Sequence, residues 1–196
     1  NPRVAPLLRR AIAEHPDHER MELHDVLAGE TDEGSEHLRV DPGWSGTAGT
    51  GLDKTADGGQ LIDLTVPVRT LDALVGEAAS HQTGPVLIKI DTEGSEAQVL
   101  GGMTAILAGA PSVVALIEFV PSHLERRGTD PAELFAFLQG LGRCWSVDWH
   151  GPTAPLDEMP PKSGDVLIVP DDALAKALGL AGPCPTTRDR ARRGRY

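Results

Sequence analysis

The chain has 196 residues, enough for one domain with a sizeable core. Its formal charge of −11 excludes a surface built to follow nucleic-acid phosphates, a task that needs clustered cations. A 40% apolar fraction with only seven aromatic residues points to a core of Val, Leu, Ile and Ala, suited to buried strands covered by helices.

In chain order, the pattern predicts a short helix over 4–14, VAPLLRRAIAE, with Leu7, Leu8, Ala11 and Ile12 on one side and a stop before Pro16. A strand is expected over 21–28, MELHDVLA, followed by a stretch over 29–59 rich in Gly, Thr, Asp and Ser that favours loops or weak hairpin strands. Its GWSGTAGTG, residues 43–51, lacks the buried strand before it, the helix after it and the Lys-Ser or Lys-Thr ending of a phosphate cradle, so it reads as a flexible loop in which Trp44 is a candidate substrate cover. LTVPV, 64–68, is a short strand whose proline suits an edge or an end, and TLDALVGEA begins a helix with Thr70 as cap.

Next come the strand VLIKID, one helical run SEAQVLGGMTAILAG, and a second buried strand, VVALIEFV, at 113–120. DPAELFAFLQGLG, 130–142, restarts a helix with Asp130 as cap, Pro131 at its first position and Glu133 completing the box. CWSVDW and DVLIVP read as late strands and DDALAKALG as a last helix. The alternation predicts an α/β domain over 1–180 with a mostly parallel sheet and an antiparallel strand near its C-terminus. Residues 181–196, which hold five Arg and one Asp in RDRARRGRY, are expected to be a basic flexible tail. Cys144 and Cys184 lack the paired spacing of zinc or dithiol sites, so a reducing, cytoplasmic setting is expected. The apolar run VVALI is far shorter than the roughly 20 residues needed to cross a bilayer, so no membrane partner is expected.

Chemistry concentrates in VLIKIDTEGSEAQVLGGM, residues 86–103. Val86, Ile88 and Ile90 share one strand face, and Leu87, Lys89 and Asp91 the other. An ammonium in a central strand needs a partner, for which Glu118 on the neighbouring strand is one candidate and Asp91 another. Ser95 and Gln98 have capping-box spacing, so the turn at Gly94 is sharply specified. Asp91 and Glu93 then have three readings: acceptors of N–H bonds around the turn, general bases or ligand contacts at the strand mouth, or parts of a metal site with Glu118. No HExxH, EF-hand or cysteine-metal spacing is present, so no metal ligand is assigned from sequence. His15 and His18 flank Pro16, which spoils a helical metal pair; His150 lies near Asp148 after CWSVDW. His123 and Glu125 follow the 113–120 strand, and an imidazole there can accept a hydroxyl proton.

KIDTEGSEAQVLGGM closely resembles the strand-to-helix signature of the FkbM family methyltransferases, through Lys89, Ile90, Asp91, Glu93, Gly94, Glu96, Leu100 and Gly102. VPVRTLDALV at 66–75 is similar to the family's strand leading to Thr-Leu-Asp, and VVALIEFV carries the family-like Glu118. The resemblance spans roughly residues 1–170 and is most specific over 66–120. It implies a Rossmann-like, class I fold and an S-adenosylmethionine-dependent methyltransferase that acts on a hydroxyl of a small metabolite such as a sugar or polyketide. It also implies that the strand and glycine-rich loop holding the methionine part of the cofactor lie upstream of Asn1, so that the chain is N-terminally incomplete. Asp25, Val26 and Ala28 would then lie near the adenine, and Asp91 near the methyl group. Asp91 is the preferred proton acceptor, with Glu93 and His123 as the other catalytic candidates. The competing expectation is a non-catalytic binding or assembly protein that keeps the sheet.

Overall fold

A computed structural model describes residues 1–43, 48–49, 59–110, 112–160 and 162–180. Trp44 and the 181–196 tail lie outside the described residues. The chain divides into two compact units, one of Asn1–Ala78 with Ala97–Ala108, the other of Ala79–Glu96 with Gly109–Tyr196. Among the described residues no helix is long and apolar enough to cross a membrane.

The first unit opens with helix α1, Ala5–Glu14, where proline in the first turn loses no hydrogen bond. The strand expected over 21–28 shrinks to β1, Leu27–Ala28, because only these two residues find a partner, Val68 and Arg69 of β4. Within 29–59, where loops or weak hairpin strands were expected, β2, Ser35–Val40, pairs antiparallel with the two-residue β3, Ala48–Gly49. β2 runs antiparallel along β4, Ile62–Arg69, in a sheet of order β1-β4-β2-β3. Pro67 faces Ser35 at the end of that ladder, where its missing N–H costs least.

Thr70 does cap α2, Leu71–Ser80: its hydroxyl accepts from Ala73 N–H at 3.1 Å. The single helix expected after Ser95 is broken into α3, Glu96–Gly101, and α4, Thr104–Gly109. Asp72 causes part of this, since its carboxylate accepts from Ala105 N–H at 2.8 Å and Ile106 N–H at 2.9 Å and so caps a new helix start. Gly102 sits at the break, where an added Cβ would stand 1.9 Å from the carbonyl oxygen of Gly29. Only glycine permits that approach.

The second unit holds β5, Val86–Ile90; β6, Val113–Phe119; helices α5, Pro121–Arg126, and α6, Pro131–Leu141; strands β7, Arg143–Asp148, β8, Gly151–Pro155, and β9, Gly164–Val169; and α7, Asp172–Ala177. Its sheet has the order β5-β6-β9-β7-β8. β5 and β6 are parallel, and the other ladders of this sheet are antiparallel, so the sheet is mixed where a mostly parallel one was expected. The reason is local. β8 returns on β7 as a hairpin, and β9 enters antiparallel between β6 and β7. The antiparallel strand expected near the C-terminus is this β9.

Pro121 begins α5, for the same reason that proline suits the start of α1. Asp130 caps α6 as expected, its carboxylate accepting from Ala132 N–H at 2.7 Å. Asp171 does the same for α7 at Leu174 N–H, 2.8 Å. The core follows the strand pattern, with Ile117, Phe119, Leu124, Leu138 and Val169 fully buried and the rings of Phe119 and Phe135 meeting edge to face at 5.9 Å.

Candidate active site

The candidate site is the corner where β5 ends, together with the adjoining end of β6 and the first turn of α5. Parallel pairing puts Lys89 opposite Leu116, and Glu118 lies two residues further along β6, so the alternation of a strand gives Lys89, Asp91 and Glu118 one face. Antiparallel pairing sets Asp165 of β9 directly opposite Glu118, on that same face. Lys89 is exposed rather than buried, because β5 is the edge of the described sheet, and its ammonium pairs with Asp91 rather than Glu118. The Asp91 carboxylate, as hydrogen-bond acceptor, raises the affinity of Lys89 for its proton.

The turn itself is built by a residue that spacing alone did not single out. Glu96 is 1% exposed, and one oxygen of its carboxylate accepts from Thr92 N–H at 2.9 Å, the Thr92 hydroxyl at 3.0 Å and Gly94 N–H at 3.2 Å. The Ser95–Gln98 capping box is replaced by this arrangement: Ser95 N–H donates to the Thr92 carbonyl, and Gln98 Oε1 is buried with no hydrogen-bond partner. A glutamate two residues after a glycine turn, at the first position of a helix, was the available signal.

With Glu96 holding the turn, Glu93 is forced into the left-handed region at φ 56°, followed by Gly94 at φ 107°. A left-handed non-glycine residue costs roughly 1–2 kcal/mol. Gly94 also lets α5 come close: an added Cβ there would stand 2.4 Å from the carbonyl oxygen of His123. This approach brings His123 Nδ1 to 3.1 Å from Glu93 Oε2. Glu118 completes the group, with ligand atoms of Glu93, Glu118 and His123 all within 4.8 Å of one another. Burial, then the nearby carboxylates of Glu93, Asp91, Glu96 and Asp165, push the Glu118 carboxyl up to about 7.

Of the sequence candidates, Asp91, Glu93 and His123 therefore belong to one corner of the second unit. Asp25 and Val26 are in the first unit, where they border a cavity of about 550 Å³ walled by Val4, Leu8, Leu23 and Val66. Asp25 is exposed and ion-paired with Arg9. Ala28 lies in β1 opposite Arg69. His18 Nδ1 lies 3.1 Å from the His15 carbonyl oxygen. His150 is exposed, and its N–H donates to Asp148 in the turn between β7 and β8. Glu125 is exposed on α5.

The family model described as Methyltransferase FkbM domain matches residues 9–143, which include the Asp91–Gly94 corner, Glu118 and His123. The chain belongs to the FkbM methyltransferase family. Nothing among the curated proteins or the solved structures matches it. The matched span covers the Thr70–Asp72 corner of the first unit and the Asp91–His123 corner of the second.

Proposed function

We propose that the protein is an S-adenosylmethionine-dependent O-methyltransferase that acts on a hydroxyl of a small metabolite such as a sugar or a polyketide. The observation that carries this reading is the family signature at the end of β5, where Glu93 meets His123 and Asp91 pairs with Lys89. The reading includes a class I, Rossmann-like sheet, supported by the parallel pairing of β5 with β6. A cytoplasmic setting belongs to the same reading.

The donor set suits a cationic cofactor, since carboxylates gather at the corner. When bound, S-adenosylmethionine supplies a methyl group on a positively charged sulfur. A substrate hydroxyl that took up this methyl group would have to give up its proton, which is the task left to the residues of the corner. Asp91, exposed and steadied by Lys89, is the residue we assign to take the proton and pass it to water. Glu93, fixed by its left-handed turn and by His123, orients the hydroxyl, and His123 is the second proton acceptor. Asp25, Val26 and Ala28 are the adenine-side assignments of this reading. The apolar wall beside Asp25 and Val26 suits a purine, and Arg9 must yield Asp25 for it to contact the ligand.

Calorimetry of the full-length protein with S-adenosylmethionine tests the proposal. Saturable heat is expected; none at millimolar cofactor overturns it in favour of a binding or assembly protein. Asp91→Asn is expected to lower kcat by about 10²-fold or more if Asp91 is the base. Normal turnover in that variant moves the role to Glu93 or His123.

A further inference from the structure

Glu93, Glu118 and His123 come from three different elements, so no sequence spacing announces them together. Their arrangement is nevertheless that of a mixed oxygen and nitrogen ligand set, with one atom from each residue within 4.8 Å of the others. The 3.1 Å between Glu93 Oε2 and His123 Nδ1 matches neighbouring corners of an octahedron, which are about 3 Å apart for metal–ligand bonds of about 2.1–2.2 Å. A second, independent feature points to a ligand. Glu118 Oε2 is shut away from solvent and accepts no hydrogen bond, and His123 Nδ1 is likewise enclosed without hydrogen-bond geometry despite its nearness to Glu93. Buried polar atoms left in this condition are costly and rare.

The surrounding charge has the sign that a cation needs. Glu93, Asp91, Glu96 and Asp165 all act on Glu118, and Lys89 is engaged by Asp91. One oxygen of Glu96 is committed to the Thr92 and Gly94 donors, and its charge adds to the negative potential at Glu118. Asp91 and Asp165 stand on the Glu118 face of the sheet.

We propose that Glu93, Glu118 and His123 bind a divalent first-row transition cation of the Mn²⁺ class. An imidazole among two carboxylates favours such an ion over Mg²⁺, which prefers oxygen ligands and retains its waters. Three protein ligands leave coordination positions open to the substrate. Resting on the methyl-transfer reading, one of these open positions would take the oxygen of the acceptor hydroxyl. The cation makes the bound hydroxyl more acidic, the proton goes to Asp91, the oxygen forms its bond to the methyl group, and the sulfur keeps the electron pair. The ion returns unchanged.

The test uses full-length protein stripped of metal by a chelator and titrated with Mn²⁺, with the free ion followed by electron paramagnetic resonance and no cofactor or substrate present. One saturable sub-millimolar site per chain is expected, weakened about tenfold or more in Glu118→Gln and in His123→Ala, and unchanged in the exposed Glu158→Gln. Absence of saturable Mn²⁺ binding by the unaltered protein overturns the proposal, as does unaltered affinity in both ligand variants. Calorimetry with S-adenosylmethionine is read separately. Protein that binds Mn²⁺ but no cofactor retains the cation site and loses the methyl-transfer reading; protein that methylates without binding Mn²⁺ does the reverse.

Discussion

Two strand-to-helix corners of this chain are rich in carboxylates, and they use them in opposite ways. In the first unit, Asp32 accepts from Thr70 N–H at 2.8 Å and from its hydroxyl at 2.9 and 3.0 Å, while Asp72 caps α4 through Ala105 and Ile106. Those oxygens are committed to backbone and hydroxyl donors. In the second unit, one carboxylate, Glu96, supplies the side-chain acceptor of the turn, while Glu93 and Glu118 have oxygens near His123 and a buried Glu118 atom has no donor. The difference separates a carboxylate that holds a fold from one held ready for a ligand: the first has donors matched to its lone pairs, the second does not.

Five substitutions, one of them a control, break or sharpen this contrast. The largest effect is expected from Gly94→Ala, which meets both a positive φ and the 2.4 Å approach of the His123 carbonyl. Urea unfolding should show a loss of about 3 kcal/mol. Gly128→Ala is its control, with φ 78° but nothing within 4 Å of an added Cβ, and should lose only about 1 kcal/mol. Equal losses would mean that the approach of α5 does not matter.

Glu96→Gln comes next. It exchanges a buried carboxylate with three donors for an amide that matches them less well, so a loss of about 2 kcal/mol is expected by the same measurement. Glu118→Gln should behave differently: the same chemical change removes a carboxylate set among other carboxylates, and stability should move by no more than about 0.5 kcal/mol or rise. A large loss in that variant would place Glu118 among the structural carboxylates and erase the distinction.

The smallest effect concerns Asp32 and acid. The backbone N–H of Thr70, then its hydroxyl, hold the Asp32 carboxyl below the ordinary 3.8. A carboxyl lowered on folding contributes stability above its unfolded value, and that contribution is lost as the pH falls through its folded one. Denaturant midpoints measured from pH 5 downward should therefore fall less steeply in Asp32→Asn than in the unaltered protein below 3.8. Parallel curves would show that the Thr70 bonds do not favour the ionised form.

Much of this was legible in the residues. Caps written by chemistry and spacing, Thr70 and Asp130, form where they were read, and strands β5, β6 and β9 follow their apolar runs. The break between α3 and α4 was not legible, because it depends on Asp72 and Gly29, which lie about 30 and 70 residues away in sequence and whose approach no local pattern records. The same holds for Lys89, whose exposure follows from the place of β5 at a sheet edge.

By itself, then, the sequence determined that a strand ends at Asp91, that a glycine turn follows, that a helix begins beyond it, and that the family is FkbM. Local propensity and a contiguous signature are enough for those. Only the tertiary structure decided the roles of the carboxylates, giving Glu96 to the turn and grouping Glu93, Glu118 and His123. The physical reason is that a carboxylate's role depends on which donors reach its oxygens, and those donors come from strand register and from the close approach that Gly94 permits.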